Sequence, residues 1–397
     1  MERHMTELAP PARLLLGAGP ANPHPRVLRA MTASLLGHLD PDFLQIMDDV
    51  RAMLRLTFKT SNTITLPVSG TGTAGMEASL VNVLEAGDTL VVAANGYFCQ
   101  RLVDIGSRIG ANVVTVTHSY GQVVDVGRVR DELRRLPRVK ALAMVHAETS
   151  TGVLSPVREM AEVAHEAGAL LIVDAVTSLG GSELRIDDWG VDICYSATQK
   201  CLACPPGLSP ITMSDRAVEA MEGRQSPVVS FYFDLTKLRQ YWHERAYHHT
   251  APISMIYALR EGLRILLEEG LEQSWRRHEL HGAALRAGVQ ALGLSLLAPE
   301  GHRLPSLTAI RVPDGISDAP VKRHLLTKHN VEISAGLGEQ AGKLWRVGLM
   351  GYNSSPSTVF TFLSAFEDAL QANDYEVAVG ASVAAAQRVY AGRATAD

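Results

Sequence analysis

Between residues 64 and 213, short apolar runs alternate with amphipathic stretches, and this alternation limits the folds open to the chain. Runs such as TLVVAAN and GALLIVDAV are apolar almost throughout, which is typical of strands covered on both faces. The stretches between them have helical periodicity, so we predict a mainly parallel sheet in an α/β layer fold. The predicted strands are Thr63–Val68, Thr89–Ala94, Asn112–Thr117, Ala141–His146, Ala169–Asp174, Asp192–Ser196 and Ser209–Met213, and helices are predicted at Gly75–Leu84, Phe98–Ile109 and Val157–Ala167.

The pattern changes after a long predicted helix that runs from Pro252 to about Glu269. Predicted helices at 275–293, 318–328 and near 356–371 then alternate with the strand-like runs SLTAIRV, VEIS and KLWRVGLM, as is typical of a smaller α+β domain. Beyond Asn373 only weak helical signals remain. We therefore predict an N-terminal arm at 1–22, a large domain at 23–268, a small C-terminal domain at 269–373 and a tail at 374–397.

Composition argues against several classes of protein. Hydrophobic residues make up 46% of the 397 residues, which excludes disorder over most of the chain. The 37 basic and 42 acidic residues give a formal charge of −5 without a basic run, which argues against nucleic-acid binding. No window approaches the roughly 18 apolar residues of a membrane helix, and we see no targeting signal. With four cysteines in so long a chain, we expect reduced thiols and a cytoplasmic protein.

The segment GTGTAG at 70–75 matches the dinucleotide-binding pattern G-x-G-x-x-G. That function needs an acidic residue at the end of the next strand to bind the ribose, but the next predicted strand ends in Asn95. Backbone N–H groups at the start of a helix, with the hydroxyls of Thr71 and Thr73, would still form an anion site. Two interpretations stay open: a phosphate site without a dinucleotide, or glycines that serve only a tight turn.

Only seven of the 37 basic residues are lysines, and one of them differs from the rest in its surroundings. Lys200 follows a predicted strand terminus and is flanked by small and apolar residues. Burial there would lower its pKa and make it a nucleophilic amine, whereas a structural lysine that extends its amine to the surface is the alternative. The other six lie on predicted polar faces or beside charged neighbours: Lys59, Lys140, Lys237, Lys322, Lys328 and Lys343.

Asp174 ends the most apolar predicted strand, where a carboxylate is costly unless it is paired. A buried salt bridge or a helix cap would explain it, and so would a role as partner of a cationic ring nitrogen. An anion site, an acid and a lysine are what pyridoxal 5'-phosphate (PLP) needs for its phosphate, its pyridine nitrogen and its Schiff base. The order of the 70–75 segment, Asp174 and Lys200 therefore predicts a PLP site.

Two other clusters raise the question of a metal. Cys201 and Cys204 form a C-x-x-C pair, but a structural zinc site needs four ligands and no second pair occurs. The histidines in HERAYHHTAP (243–252) miss the H-E-x-x-H spacing that places two ligands on one helix face. We expect no metal in either place, and we predict a loop that enters the long helix with Thr250 as its N-cap.

Longer motifs point to a family. The chain resembles the class V, fold-type I PLP-dependent aminotransferases, most of all the alanine–glyoxylate and serine–glyoxylate group, from about residue 14 to about residue 371. Motifs of this length in this order are far more specific than one glycine pattern. They are VSGTGTAGMEA (68–78), ANGYFCQR (94–101), HAETSTGVLSP (146–156), VDAVTSLGG (173–181), TQKCLACPPG (198–207), YHHTAPISMIYALRE (247–261) and WRVGLMGYN (345–353).

The resemblance implies PLP as the cofactor and a homodimer with shared active sites. Lys200 would bind the cofactor covalently and move the substrate proton, and Asp174 would keep the pyridine nitrogen protonated. Arg346 would bind the substrate carboxylate through a bidentate pair, and Gly19 and Thr149 would border the substrate. Further cofactor contacts would come from Thr71, Gly72, Thr73, Phe98, Thr149, Val176 and Gln199, and, from the partner subunit, Tyr247 and Thr250.

Two departures from the family pattern bear on this site. Ala18 replaces the first proline of a GPGP motif that borders the substrate, and Thr73 stands where some relatives carry histidine.

The activity that the resemblance implies is transfer of an amino group from alanine or serine to glyoxylate. The alternative is (S)-ureidoglycine–glyoxylate aminotransferase, which shares GxxDP near residue 37 and the TQKCL stretch. That enzyme commonly has asparagine at the position of Tyr247, which favours the first activity. Cysteine desulfurase, a third member of the fold, needs a cysteine in the C-terminal domain, and none follows Cys204.

Overall fold

A computed structural model of the protein describes residues 7–393. Its strands are β1 (Leu14–Leu15), β2 (Ile64–Ser69), β3 (Thr89–Ala94), β4 (Asn112–Thr117), β5 (Ala141–Val145), β6 (Ala147–Glu148), β7 (Val153–Leu154), β8 (Leu170–Asp174), β9 (Ile193–Tyr195), β10 (Leu208–Met213), β11 (Leu307–Arg311), β12 (Val331–Glu332), β13 (Ser334–Ala335) and β14 (Leu344–Gly348). Its α-helices are α1 (Pro25–Met31), α2 (Pro41–Phe58), α3 (Gly72–Val81), α4 (Tyr97–Ile109), α5 (Val126–Arg135), α6 (Val157–Glu166), α7 (Ile186–Trp189), α8 (Asp215–Glu222), α9 (Leu235–Arg239), α10 (Ile253–Glu269), α11 (Leu271–Ala291), α12 (Asp318–Lys328), α13 (Pro356–Gln371) and α14 (Ala381–Arg393). A π-helical turn at Gln240–Glu244 and 3-10 turns at Gly338–Gln340 and Gly351–Asn353 complete the helical elements.

Seven strands form the central sheet in the order β2-β10-β9-β8-β5-β3-β4. The five strands from β9 to β4 pair in parallel, whereas β10 is antiparallel to both of its neighbours. Because β2 and β9 are both antiparallel to β10, they run in the same direction. The carboxyl ends of six strands therefore meet at one edge of the sheet, which is where ligands bind in open α/β folds. The predicted α/β fold with a mainly parallel sheet is confirmed.

The strands of this sheet are buried because helices cover both of its faces. Every residue of β5 and β8 is buried, which is the reason their sequences lack the alternation of a half-exposed strand. Each predicted strand is present, with ends that shift by at most one residue. The predicted helix at Gly75 begins earlier, at Gly72, because the glycine-rich turn itself forms the first helical turn.

A second apolar core lies around the three-stranded sheet β11-β14-β13. Trp345 of β14 is fully buried and makes an edge-on contact with Phe366 of α13. Helix α14, which lies in the segment with weak helical signals, packs against α11 and α13. The buried carboxylate of Glu367 accepts hydrogen bonds from the first N–H groups of α14, at Gly380 (2.7 Å) and Ser382 (2.9 Å). The domain boundaries at 22, 268 and 373 remain a proposal.

The N-terminal arm connects this second core to the edge of the large sheet. Strand β1 pairs in parallel with β12, and the N–H of Gly348 donates to the carbonyl of Leu16 (2.8 Å). The arm then crosses to the loop after β9, where the N–H of Ala21 donates to the carbonyl of Gln199 (3.0 Å). Residues 17–21 therefore lie against the loop that carries Lys200.

One predicted helix cap is wrong. Helix α10 begins at Ile253 after Pro252, and Thr250 is an exposed residue that caps no helix. Pro252 is the N-cap residue instead, and no side chain among the described residues makes a capping hydrogen bond at this helix start. The helix predicted at 275–293 starts earlier, at Leu271, directly after Gly270. Within residues 7–393, no helix is long and apolar enough to cross a membrane.

Candidate active site

A cavity of about 240 Å³ opens at the carboxyl edge of the central sheet. The loops that follow β2, β3, β5, β8 and β9 each contribute side chains, so residues distant in sequence converge there. Nine of the predicted site residues line this cavity: Thr71, Gly72, Thr73, Phe98, Thr149, Asp174, Val176, Gln199 and Lys200.

Lys200 and Asp174 both line the cavity and are almost fully buried, with 8% and 4% of their surface exposed. Burial, reinforced by the charge of Arg346, lowers the pKa of Lys200 to about 8. Its Nζ donates a hydrogen bond to the carbonyl of Ala18. The lysine is therefore held against the N-terminal arm with an amine that is partly neutral near physiological pH.

Gly19 lies in contact with this lysine. A Cβ added at this position would be 2.4 Å from Lys200 Nζ, and the backbone has φ +98°. Only glycine satisfies both conditions, because a side chain would clash with the lysine and L-residues disfavour this dihedral angle. Gly19 thus borders Lys200 directly, although it is not part of the cavity wall.

Asp174 accepts two hydrogen bonds, one from the loop that follows its strand and one from the neighbouring strand. Its Oδ1 accepts from the N–H of Val176 (2.8 Å) and its Oδ2 from the hydroxyl of Tyr195 (2.9 Å). Burial outweighs both bonds and raises the pKa of Asp174 to about 6. Tyr195, on the neighbouring strand β9, escaped the sequence analysis because its contact depends on the order of the strands.

The start of α3 forms one wall of the cavity. Thr71 is the N-cap residue but its side chain makes no capping bond, so the first N–H groups of the helix are available to an anion. A Cβ at Gly72 would approach Val176 Cγ2 to 2.9 Å, which explains the glycine in the wall. The side-chain oxygen of Gln199 is buried and has no hydrogen-bond partner within residues 7–393.

Phe98 lies in the first turn of α4, and a buried carboxylate fixes that turn. Glu148 Oε2 accepts from the N–H of Phe98 (3.1 Å), while its Oε1 accepts from the N–H of Ser150 (2.9 Å) and its hydroxyl (2.6 Å). The Ser150 hydroxyl accepts in turn from the N–H of Tyr97 (2.9 Å). Glu148 was not among the predicted site residues. Nothing in the residues beside it indicates that its carboxylate caps a helix that begins fifty residues earlier in the chain.

Arg346 lies on β14 of the second core and reaches toward the same region. Its Nη1 donates to the carbonyl of Thr149 (2.9 Å) and its Nε to the carbonyl of Ala335 (2.7 Å). Burial lowers the pKa of Arg346 to about 10, which still leaves the guanidinium charged at neutral pH. The arginine is outside the cavity wall, and Thr149 connects it to that wall.

Tyr247 and Thr250 are not brought to this cavity by the fold of one chain. Both are exposed, Tyr247 with 62% of its surface, and neither lines the cavity. Tyr247 instead contacts the ring of His38 at a centroid distance of 5.4 Å.

The two cysteines considered for metal binding make other contacts. The buried thiols of Cys201 and Cys204 donate to different carbonyls, of Thr177 (3.3 Å) and Ala258 (3.3 Å). Burial raises the pKa of Cys201 to about 11 and that of Cys204 to about 12, so both stay protonated.

One group of side chains with metal-ligand chemistry does occur among the described residues, on α12 and α13. His324 and His329 each place Nε2 2.7 Å from Oδ2 of Asp368. Two hydrogen bonds to one carboxylate account for this arrangement, so we propose no metal there.

The site excludes the dinucleotide interpretation and suits a different cofactor. Asn95, where a ribose-binding acid would be needed, is fully buried and donates to the carbonyl of Gln122 (3.0 Å). Within residues 7–393, the hydroxyl of Thr177 in the cavity wall is buried without a hydrogen-bond partner. The cavity brings together the uncapped first N–H groups of α3, a buried carboxylate and a buried amine. These groups define the class of fold-type I PLP enzymes, whose cofactor needs all three.

Comparison with known proteins identifies the family. Residues 14–355 match the family model of class-V aminotransferases. The chain is 41% identical to alanine–glyoxylate aminotransferase of Callithrix jacchus, over 92% of this chain and 89% of the relative. It is similar to the crystal structure of alanine–glyoxylate aminotransferase from Nostoc sp. (48% identity, TM-score 0.91, covering 93% of this chain and 98% of that one). It is also similar to the crystal structure of ureidoglycine–glyoxylate aminotransferase from Bacillus subtilis (40% identity, TM-score 0.95, covering 97% of this chain and 100% of that one).

The chain therefore belongs to the class-V aminotransferase family. Members of this family use PLP, and the residues at the sheet edge fit that cofactor. The protein is a PLP-dependent aminotransferase.

Proposed function

We propose that this aminotransferase transfers the amino group of alanine or serine to glyoxylate, giving glycine and pyruvate or hydroxypyruvate. The observation that carries the proposal is the buried pair Lys200 and Asp174 in one cavity, with Arg346 bonded to the loop that forms its wall. The choice of glyoxylate follows the relatives from Callithrix jacchus, Nostoc sp. and Bacillus subtilis, all of which are named for it.

Lys200 supplies the amine and the base of the reaction. A neutral amine is needed both to bind PLP covalently and to take a proton from the substrate Cα, and a pKa of about 8 makes a useful neutral fraction available. PLP, when bound, supplies the electron sink that makes this Cα proton acidic.

Asp174 would face the pyridine nitrogen as an anion. Its two hydrogen bonds, from Val176 and Tyr195, orient the carboxylate and leave it without a cationic side chain in direct contact. A protonated ring nitrogen would provide that positive charge, and pairing would lower the pKa of the carboxyl from its raised value.

Arg346 would bind the carboxylate that amino acids and 2-oxo acids share. The bonds to the carbonyls of Thr149 and Ala335 fix the plane of the guanidinium and use one hydrogen each of Nη1 and Nε. One hydrogen of Nη1 and both of Nη2 remain, and these would be the donors to a substrate carboxylate.

Ureidoglycine–glyoxylate transfer is the second candidate function. The Bacillus subtilis relative supports it, because its structure covers 97% of this chain at a TM-score of 0.95. Tyr247 favours the first candidate, since the ureidoglycine enzymes commonly have asparagine at this position.

We further propose that two copies of this chain form a homodimer with shared active sites. Tyr247 is exposed and does not line the cavity of its own chain, which suits a residue that serves the site of a second copy. The exposed rings of Phe231 and Tyr232 contact His248 beside it. Further large apolar side chains are exposed, as is typical of a surface that a partner covers: Leu28, Leu35, Leu39 and Val229. We keep the cytoplasm as the proposed compartment.

Half-reactions test the substrate assignment. The PLP form would be mixed with alanine, serine, ureidoglycine, aspartate and glutamate, and the amino form of the cofactor with glyoxylate, pyruvate and 2-oxoglutarate, with the absorption spectrum as the readout. We expect fast conversion by alanine or serine and by glyoxylate. Absence of conversion by glyoxylate would refute the assignment, and ureidoglycine as the fastest donor would select the second candidate.

A further inference from the structure

Arg101 is a second cation in the wall of the cavity, besides Lys200. It lies in α4, one turn after Phe98, and its Nη1 donates to the hydroxyl of Thr73 (3.2 Å). Its guanidinium lies over the ring of Phe98 at 5.0 Å and over that of Tyr97 at 5.5 Å. The side chain is thereby directed to the start of α3, where the anion site was predicted.

The charge of Arg101 is not balanced by an acid. Among the described residues 7–393 no carboxylate forms an ion pair with it, whereas Arg108, two turns further along the same helix, pairs with Asp104 (3.1 Å). Among the described residues that line the cavity, Lys200 is the other cation and Asp174 the one acid. The end of the cavity at Thr71–Thr73 therefore carries a positive charge before any ligand binds.

A phosphate monoester is the anion that suits this end of the cavity. The N–H groups at the start of α3 and the threonine hydroxyls offer hydrogen bonds, but they compensate only part of the charge of a dianion. A guanidinium adds a full charge and a planar set of donors. Lys200 cannot supply that charge, because its nitrogen is used in the covalent bond to the cofactor.

We propose that Arg101 binds the phosphate of PLP together with the start of α3, while its packing on Phe98 keeps its guanidinium plane in position. This assignment rests on the proposed function, because PLP is the phosphate monoester concerned. It adds a cofactor-binding residue to those that the family resemblance implied.

The test compares two ligands that differ only in the phosphate. Dissociation constants of PLP and of pyridoxal would be measured by fluorescence for the cofactor-free forms of the wild type, Arg101→Gln and the control Arg108→Gln. We expect Arg101→Gln to bind PLP about 10- to 100-fold more weakly, as is usual for loss of a hydrogen bond between charged groups, and to bind pyridoxal as the wild type does. Arg108→Gln should bind both ligands normally.

Other outcomes would overturn the assignment. Equal weakening for PLP and pyridoxal would show that Arg101 acts through Phe98 rather than on the phosphate, and unchanged PLP binding would show no role at all. A wild type that binds neither ligand would refute the proposed function itself. If circular dichroism shows that Arg101→Gln does not fold, Arg101→Lys takes its place, because lysine keeps the charge but lacks the planar set of donors. Its affinity for PLP must then lie below that of the wild type, while its affinity for pyridoxal is unchanged.

Discussion

Lys200 and Asp174 share one cavity, and burial acts on the two residues in opposite directions. It lowers the pKa of the lysine and raises that of the aspartic acid, because in each case it disfavours the charged form. Both pKa values move toward neutrality, which makes both protonation states of each group accessible at physiological pH. Such perturbed pairs are a mark of catalytic sites.

Lys200→Ala removes the amine that binds PLP covalently. We expect the purified variant to lose the visible absorption band of the cofactor, while Lys343→Ala, an exposed lysine far along the chain, keeps it. The absorption spectrum of the two proteins after incubation with PLP decides the point. An unchanged spectrum of Lys200→Ala would show that another group holds the cofactor.

The pH dependence of PLP uptake reports the pKa of the lysine. Only the neutral amine attacks the aldehyde, so the rate should fall about tenfold per pH unit below pH 8 and level off above it. Below about pH 6 Asp174 is protonated as well, and the attraction for the ring nitrogen is lost. Stopped-flow absorbance of the cofactor-free protein measures this rate, and a profile that is flat around pH 8 would contradict the lowered pKa.

Arg346→Ala tests recognition of the substrate carboxylate. We expect the KM for both the amino acid and the oxo acid to rise about 10- to 100-fold, because each loses the same charge-assisted pair. Arg311→Ala is the matched control, since Arg311 lies on the adjacent strand β11 and is exposed. Steady-state kinetics with varied concentrations of each substrate give the answer, and a rise for one substrate only would mean that the carboxylate of the other is bound elsewhere.

At the scale of the elements, helix starts and strand ends build the site. Helix α4 has a glycine N-cap without a side-chain cap, and Glu148 at the end of β6 and Ser150 just after it supply the missing acceptors. A Cβ at Gly96 would lie 2.3 Å from Glu148 Cγ, so the glycine makes room for this carboxylate. The position of Phe98 and Arg101 on α4 thus depends on a different segment of the chain.

Glu148→Ala should destabilise the fold and loosen the start of α4. It leaves the N–H of Phe98 and the hydroxyl of Ser150 buried without their acceptor, which costs about 1–3 kcal/mol in the free energy of unfolding. Urea denaturation measures that difference, with the exposed Glu219→Ala on α8 as control. Equal stability of the two variants would mean that Glu148 does not cap this helix.

At the scale of the whole molecule, one chain contains an incomplete set of the expected cofactor contacts. Tyr247 and Thr250 lie at the surface and do not line the cavity of their own chain, and several large apolar side chains are exposed as well. A symmetric dimer would cover this surface and give each site the missing residues from the other copy.

Mixing two inactive variants tests such sharing. A Lys200→Ala subunit keeps Tyr247 and Thr250, and a subunit with Tyr247→Ala and Thr250→Ala keeps Lys200, so a mixed dimer has one complete site. We expect activity to appear when the two proteins are unfolded together and refolded, and not when each is treated alone. A monomeric mass by light scattering, or no recovery of activity, would contradict shared sites.

The sequence by itself was enough to predict a mainly parallel sheet, the positions of its strands in the chain, and Lys200 and Asp174 as candidate site residues. Short unbroken apolar runs bounded by turn residues favour strands covered on both faces. Asp174 and Lys200 stand out because a charge beside such apolar residues is costly. The glycine pattern at 70–75 pointed to the start of α3, and the family motifs added Arg346.

Only the tertiary structure decided which groups support those residues. Tyr195 meets Asp174, Glu148 caps α4, Gly19 contacts Lys200 and Arg101 meets Thr73 because of the order of strands in the sheet and the path of the arm. A charged residue within an apolar stretch of sequence can be recognised as costly to bury, because its immediate neighbours in the chain are apolar. They do not reveal its partner, because the partner is chosen by contacts between segments that lie far apart in sequence.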